Sequence, residues 1–249
     1  MSRAVLVTGG SRGIGRAVAQ AFAAQGERVA VHYGSNADEA AVTLESLEGD
    51  GHLVVQADMA DPDAVRRAVD ESAAALDGLD VLVNCAGVFA AHPVTEVSYA
   101  EWQAAWSTTL AVNLVGAANA VFCAVPHLIA AGGGAIVNIS SRGAFRGERR
   151  TPAYGASKAG LNSFGQSMAL ALAPHGISVG TVAPGFVETD MAREVLDGPR
   201  GAEVRAESPF GRVATPEDVA SAVLWLASPG ARFASGTIID VNGASYLRS

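Results

Sequence analysis

Tyr154 and Lys158 stand four positions apart in TPAYGASKAG (151–160), with only Gly155, Ala156 and Ser157 between them. On a helix, positions i and i+4 share a face, which would set an ammonium beside a phenol. A phenol releases its proton near pH 10, too high for acid–base work at neutral pH, and a neighbouring ammonium lowers that value by stabilising phenolate. Such a pair can protonate a carbonyl oxygen or take a proton from an alcohol. The same spacing also arises by chance on any helix, so the pair alone leaves two polar tips on a small-residue helix as an open reading. Further polar candidates lie upstream: Ser140 and Ser141 in IVNISS, Asn113, and Asn84 in NCAG.

A second constellation suits a phosphate. TGGSRGIG, Thr8 to Gly15, follows an apolar run and leads directly into a helical pattern, with Gly9, Gly13 and Gly15 in GxxxGxG spacing and Ser11, Arg12 and Ile14 between them. Glycines there let the backbone turn tightly and approach a pyrophosphate at the positive end of a helix. About 20 residues beyond such a turn, NAD-binding chains carry an acid that holds the ribose 2′-hydroxyl. Here that place reads His32-Tyr33-Gly34-Ser35, without an acid. Arg12 inside the turn, with Ser35 and Asn36 as donors, suits a 2′-phosphate instead, so NADP(H) is expected in preference to NAD(H). Asp38 and Glu39 follow at the start of a helix, where they serve its dipole; either one turned toward the ribose would weaken that expectation.

Positioning these groups requires a frame. Seven apolar, β-rich runs recur at 4–9, 28–34, 52–58, 79–87, 134–141, 177–185 and 236–243, alternating with alanine-rich segments of helical periodicity. Asp61-Pro62 and Thr215-Pro216 read as N-caps followed by proline, Gly26 closes the first helix, and the Tyr154 helix is expected from about 153 to 172. Unbroken apolar strands alternating with helices imply an α/β architecture: a three-layer, doubly wound Rossmann fold, with a seven-stranded parallel sheet covered by helices on both faces. No linker or repeat divides the chain, so 1–249 reads as one domain. The longest irregular stretch, 188–215, follows the carboxyl end of a strand at Pro184-Gly185, where such sheets bind ligands, and reads as a substrate lid or a plain surface loop.

Bulk composition excludes several classes. Of 249 residues about half are hydrophobic, and the net charge of -8 argues against general nucleic-acid or anionic-membrane binding. No charged leader precedes an apolar stretch, and no apolar run approaches the roughly 20 residues of a membrane span, so a cytoplasmic location is expected. Cys85 and Cys123 suit neither a disulfide scaffold nor a metal site, and the five histidines lack ligand spacing; no metal is expected.

Taken together and in order, TGGSRGIG, Asp58 after the third strand, NCAG, Asn113, Ser141, Tyr154 with Lys158, PGFVET (184–189) and DVNGA (240–244) resemble the short-chain dehydrogenase/reductase family over essentially the whole chain. Within that family the chain looks most like bacterial 3-oxoacyl-(acyl-carrier-protein) reductases. The resemblance implies that Tyr154 is the general acid or base, that Ser141 hydrogen-bonds the substrate oxygen, that Lys158 lowers the tyrosine pKa and binds the nicotinamide ribose, and that Asn113 holds a water of the proton relay. It places Asp58, with Met59 beside it, at the adenine, Asn84, Ala86 and Gly87 on the adenosine ribose side, and Val187 and Thr189, after Pro184 and Gly185, at the nicotinamide amide; Tyr33 and Ser35 border the adenosine. The 13-residue offset to Tyr154 selects Ser141 over Ser140. Cys85 stands where the family commonly has asparagine, a small change of little expected consequence.

Other mechanisms fit less well. No GxSxG elbow is present, and Ser157 lies inside a helix, which disfavours a serine hydrolase. A non-catalytic nucleotide-binding regulator could keep the fold, though such proteins tend to lose a member of the catalytic set, and all four are here. The substrate expected is a small-molecule or thioester-linked carbonyl, with other ketones, secondary alcohols and sugars as alternatives. Arg142, Arg146, Arg149 and Arg150 form a basic cluster that could attract an acyl-carrier protein, a coenzyme A thioester or a carboxylated substrate; a solvated loop or subunit contact with Glu148 partly neutralising it is the competing reading. Gly155, Ala156, Ala159, Gly160 and Ser163 give the Tyr154 helix a small-residue surface, and the family resemblance implies a homotetramer packed through it.

Overall fold

The computed structural model describes residues 2–248. Strands β1 (Ala4–Thr8), β2 (Arg28–Tyr33), β3 (Leu53–Gln56), β4 (Val81–Asn84), β5 (Gly134–Ile139), β6 (Ile177–Pro184) and β7 (Ile238–Val241) fall within the seven apolar runs. Between them lie α1 (Gly13–Ala23), α2 (Ala37–Glu45), α3 (Pro62–Ala75), α4 (Tyr99–Leu110), α5 (Ala117–Ala130), α6 (Pro152–Leu172), α7 (Asp190–Leu196), α8 (Gly201–Ala206) and α9 (Pro216–Leu226). All seven strands are parallel, in the order β3-β2-β1-β4-β5-β6-β7. The order reverses between β1 and β4, so the carboxyl ends Thr8 and Asn84 lie side by side in register. That reversal opens the crevice where doubly wound sheets take a ligand.

Two apolar layers sandwich the sheet. One packs β-strand residues such as Val5, Val31 and Val137 against α1 and α9 through Val18, Phe22 and Val223. The other packs Leu6, Leu82 and Ile136 against α3, α5 and α6 through Val69, Leu128 and Leu172. The expected caps are in place: Asp61 accepts from Asp63 and Ala64 N–H, and Thr215 forms a capping box with Asp218.

Two expectations are corrected. The segment 188–215 is not irregular: α7 and α8 bury Leu196, Val204 and Val213 in a small cluster of their own, and its base is closed by a parallel bridge between Val187 and Ala214. The second concerns apolar length. Residues Tyr99–Ala130 run as one continuous helix of 32 residues, long and apolar enough by length and composition to cross a membrane. Its apolarity has a local cause, because Ala117, Ala120, Val121, Ala124 and Leu128 form the layer that covers β4 and β5.

Candidate active site

The turn after β1 shows why glycine is needed. Gly9 has φ +65°, and a Cβ there would lie 2.7 Å from Ala86 Cα, in the loop after β4. On Gly15 a Cβ would lie 2.1 Å from Gly9 O, so the helix starts directly against the turn it follows. Gly13, φ +53°, abuts the Thr189 methyl at 3.2 Å, which brings PGFVET onto the same edge. Thr8 Oγ1 accepts from Cys85 and Ala86 N–H, fastening the two adjacent strand ends together. This cradle of backbone N–H groups with room for no side chain fits the pyrophosphate of a dinucleotide.

His32 is a residue sequence reasoning passed over. Its Nδ1 accepts from Gly9 N–H at 3.0 Å, its Nε2–H donates to Ala57 O at 3.0 Å, and its own carbonyl accepts from Gly10 N–H. Burial lowers its pKa, which keeps the ring neutral and able to accept. A histidine at the end of the second strand, opposite the glycines, was the only available sign of this.

No acid stands at the end of β2, where Tyr33 is half-buried and Ser35 exposed. Glu39 is bound by Arg16, and Asn36 caps α2 by accepting from Glu39 N–H. Arg12 is exposed at the N-cap position of α1. Asp58 is exposed, with Oδ1 accepting from Ala60 N–H, while Met59 is buried beneath it. Val187 is buried beside Gly185, whose N–H donates to Val241 O, and Ile14 packs on the sheet. Asn84 is 3% exposed, and its side chain donates to Asn138 Oδ1 at 3.0 Å, tying β4 to β5 at their carboxyl ends.

The acid–base candidates converge at the carboxyl ends of β4 and β5. Tyr154 lies in the first turn of α6, and Phe89 meets its ring edge-on at 4.9 Å. Lys158 is 4% exposed, donates to Ile139 O at 2.8 Å and holds its ammonium 5.8 Å from the Tyr154 ring centre. The two serines differ in direction: Ser140 Oγ donates to Lys158 O, whereas Ser141 Oγ accepts from Gly143 N–H and faces the Tyr154 hydroxyl closely enough to bear on its pKa. A Cβ on Gly87 would lie 3.4 Å from Asn113 Oδ1 and 3.6 Å from Lys158 Nζ, so that glycine keeps the floor open.

Asn113 is fully buried in a π-helical turn, Ala111–Gly116, that joins α4 to α5 within the continuous helix. Its Oδ1 accepts from Val88 N–H at 2.8 Å, and its Nδ2 donates to Val88 O at 3.0 Å and to Ser157 Oγ at 3.2 Å. The side-chain amide is thus fully engaged in joining the β4 loop to α6. Wider turns of this kind recur at functional sites because they re-aim one residue without breaking the helix.

Burial dominates the electrostatics of the pair. Burial pushes Tyr154 up to about 12, with the Ser141 hydrogen bond pulling the other way, and Lys158 is not among the groups that set the direction. Burial lowers Lys158 to about 8. The reason is shared: both groups lie in the same dry pocket, where any charged form is penalised. Because the folded Lys158 value lies below the unfolded 10.5, the cost of a buried ammonium is fully present below pH 8 and disappears as pH rises past 10.5. Lys158→Met is therefore expected to stabilise the nucleotide-free protein at pH 7 by about 2 kcal/mol, after about 1 kcal/mol is lost with the Ile139 hydrogen bond. Urea melts should show the gain shrinking as pH rises and turning into a loss of about 1 kcal/mol above pH 10.5.

The basic cluster is also resolved differently from the sequence expectation. Arg142 is 4% exposed; Nη1 donates to Glu207 at 2.6 Å and to Ser245 Oγ at 2.7 Å, and the guanidinium stands over Phe186. Arg146 meets the same Glu207 at 3.6 Å, and Arg150 pairs with Glu96 at 3.4 Å. Glu148 has no ion pair among the described residues; it lies against Gly143, and burial raises its pKa. Of the four arginines only Arg149 lacks a carboxylate partner among the described residues. The partners were illegible because they come from residues 50 to 65 positions away in sequence.

A doubly wound sheet, a glycine cradle at its reversal point and a Ser–Tyr–Lys cluster at the same edge define a dinucleotide-dependent oxidoreductase. Comparison with known proteins makes the family explicit. A family model described as Enoyl-(Acyl carrier protein) reductase matches residues 9–244. The 3-oxoacyl-[acyl-carrier-protein] reductase of Staphylococcus aureus (strain Mu50 / ATCC 700699) is 35% identical over 249 residues, covering 99% of each chain. The cis-4-hydroxycyclohexanecarboxylate dehydrogenase of Sinomonas cyclohexanicum is 38% identical over 243 residues, 97% of this chain and 95% of that one. A solved short chain dehydrogenase from Burkholderia cenocepacia J2315, in complex with NADP, superposes with a TM-score of 0.89 at 37% identity, covering 98% of this chain and 97% of that one. The chain belongs to the short-chain dehydrogenase/reductase family, oxidoreductases that interconvert CH–OH and C=O groups with a nicotinamide dinucleotide.

Proposed function

We propose that this protein is an NADP(H)-dependent ketoreductase acting on 3-oxoacyl thioesters, carried by an acyl-carrier protein or coenzyme A. The observation that carries the reading is the convergence of Ser141 and Tyr154 beside Lys158 and Gly87, at the mouth of the glycine cradle. NADP(H), when bound, supplies or accepts the hydride. Gly9, Ser11, Arg12, Gly13, Ile14 and Gly15 would hold its phosphates; Tyr33, Ser35, Asp58, Met59, Ala86 and Gly87 would line the adenosine half; Pro184, Gly185, Val187 and Thr189 would line the nicotinamide half, with Lys158 at its ribose.

Each side chain then has a physical task. Ser141 donates a hydrogen bond to the substrate oxygen where negative charge develops. Tyr154, protonated at neutral pH, gives its proton to that oxygen in reduction and takes it back in the reverse direction. Asn113 keeps the loop after β4 and α6 in register, and a water at its backbone would return the proton to Tyr154. The arrangement at the end of β2 supports NADP(H): Arg12 is free to meet a 2′-phosphate, and Glu39 is bound to Arg16.

A second reading, oxidation of a small secondary alcohol, is favoured by relatives such as the cis-4-hydroxycyclohexanecarboxylate dehydrogenase. Consumption of NADPH with acetoacetyl-coenzyme A, a cyclic ketone and a sugar ketone, repeated with NADH, separates the readings. If no ketone is turned over while nucleotide binds tightly, a non-catalytic binding role replaces both. For the carrier, Arg149→Ala with Arg150→Ala should raise KM for acetoacetyl-acyl-carrier protein about 5-fold at low salt and leave a neutral ketone unaffected; unchanged KM at both low and high salt removes the docking role. We also read the chain as a cytoplasmic homotetramer, with the small-residue face of α6 as a subunit contact, and light scattering showing a stable monomer would refute it.

A further inference from the structure

The first turn of α6 needs an acceptor that its own cap residue does not supply. N–H groups in the first turn of a helix have no partner within it. Pro152 has no N–H, Tyr154 and Gly155 N–H both donate to Thr151 O at 3.0 and 3.3 Å, and the Thr151 side chain makes no capping bond. Ala153 N–H remains. It donates to Nε2 of His92, at 3.1 Å and 61 positions away in sequence.

The other ring nitrogen of His92 lies 2.8 Å from Ala90 O, an atom that can only accept. Both contacts are satisfied by a single form of the ring, neutral with its proton on Nδ1. The residue is 2% exposed, with Trp102 edge-on to it at 5.6 Å, and its backbone N–H donates to Arg150 O at 2.8 Å. The loop that carries it also carries Val88, clamped by Asn113, and Phe89, which touches the Tyr154 ring. His92 is the far end of a strap that runs from Asn113 to the first turn of α6.

We propose that His92 is a positioning residue for Tyr154: its neutral imidazole serves as the N-cap of α6 and sets where the phenol stands relative to Ser141. The proposal rests on the reading of Tyr154 as proton donor. Displacing an acid–base group by about 1 Å costs about 100-fold in rate, so the cap should be visible in kcat while nucleotide affinity is untouched.

The test uses the full chain as wild type, His92→Leu and His92→Gln, with NADPH and acetoacetyl-coenzyme A as probes. Leucine keeps apolar bulk against Trp102 without an acceptor, whereas glutamine places an amide oxygen at the reach of Nε2. In His92→Leu, kcat is expected to fall about 30-fold with the Kd for NADPH within about 2-fold, and His92→Gln to recover to within about 5-fold of wild type. A leucine variant that keeps kcat within about 2-fold overturns the proposal, as does an equal loss in both variants accompanied by lower Tm and weaker NADPH binding. Hydrogen exchange at the Ala153 amide needs no substrate. Faster exchange in His92→Leu, reversed in His92→Gln, supports the cap even if acetoacetyl-coenzyme A is not turned over by the wild type, and unchanged exchange overturns it.

Discussion

Tyr154→Phe is expected to lower kcat for ketone reduction at least about 1,000-fold while Tm and the Kd for NADPH stay within error. The magnitude follows from what is removed. The phenol is the proton donor beside Ser141, and the phenyl ring keeps the edge contact with Phe89. No neighbour can take over, because Lys158 is directed to Ile139 O and Ser141 has no base positioned to re-protonate it. Single-turnover reduction followed by NADPH absorbance, alongside fluorescence titration of the nucleotide, measures the two quantities separately. A phenylalanine variant with a tenth of wild-type kcat would mean that another group, or water, delivers the proton.

The second large effect lies 139 positions earlier in sequence, at the phosphate turn. Gly15→Ala puts a methyl carbon 2.1 Å from Gly9 O and 2.8 Å from Gly9 C, both backbone atoms of a turn pinned by His32. No flexible side chain can give way. The start of α1 must shift away from the turn, costing about 2 to 3 kcal/mol as an overpacked contact. The same shift moves the N–H groups that face the pyrophosphate, so the Kd for NADPH should rise at least about 30-fold. Denaturant melts and nucleotide titration check the two parts. Gly26→Ala is the informative contrast, because nothing lies within 4 Å of a Cβ there and only its left-handed φ of +79° is strained. It should cost about 1 kcal/mol and leave nucleotide affinity unchanged.

The predicted effects fall on different measured quantities. Lys158→Met gains stability and should lose activity, since the buried ammonium at about 8 is tolerated in the fold only for its place in the site. His92→Leu should lose rate without losing nucleotide, and Gly15→Ala should lose both nucleotide affinity and stability. A set of variants that instead lost everything in proportion would point to a single cooperative collapse of the sheet edge.

Much of the architecture could be read from the chain because it is written in local periodicity. The seven strands lie inside the seven apolar runs, and Asp61 and Thr215 cap the helices that their positions before proline imply. The glycine turn and the i, i+4 spacing of Tyr154 and Lys158 are local as well. Their chemistry follows from residue type and backbone geometry, and neither needs a distant neighbour to be stated. The resemblance of the ordered motifs to a known family added the roles.

Only the tertiary structure decided the rest, because burial and partnership depend on residues remote in sequence. Direction separated Ser141 from Ser140, one hydroxyl facing Tyr154 and the other the α6 backbone. The basic cluster read as a patch, yet Arg142 is buried against Glu207 and Ser245 from the far end of the chain. Burial pushes the Tyr154 pKa up, and desolvation has no signature in spacing. His92 carried no motif at all, and its bond to Ala153 exists only because the loop after β4 folds back over the start of α6. Sequence determined which groups are available and on which elements they ride; the packing of elements far apart in the chain determined which of them meet, and in what state of charge.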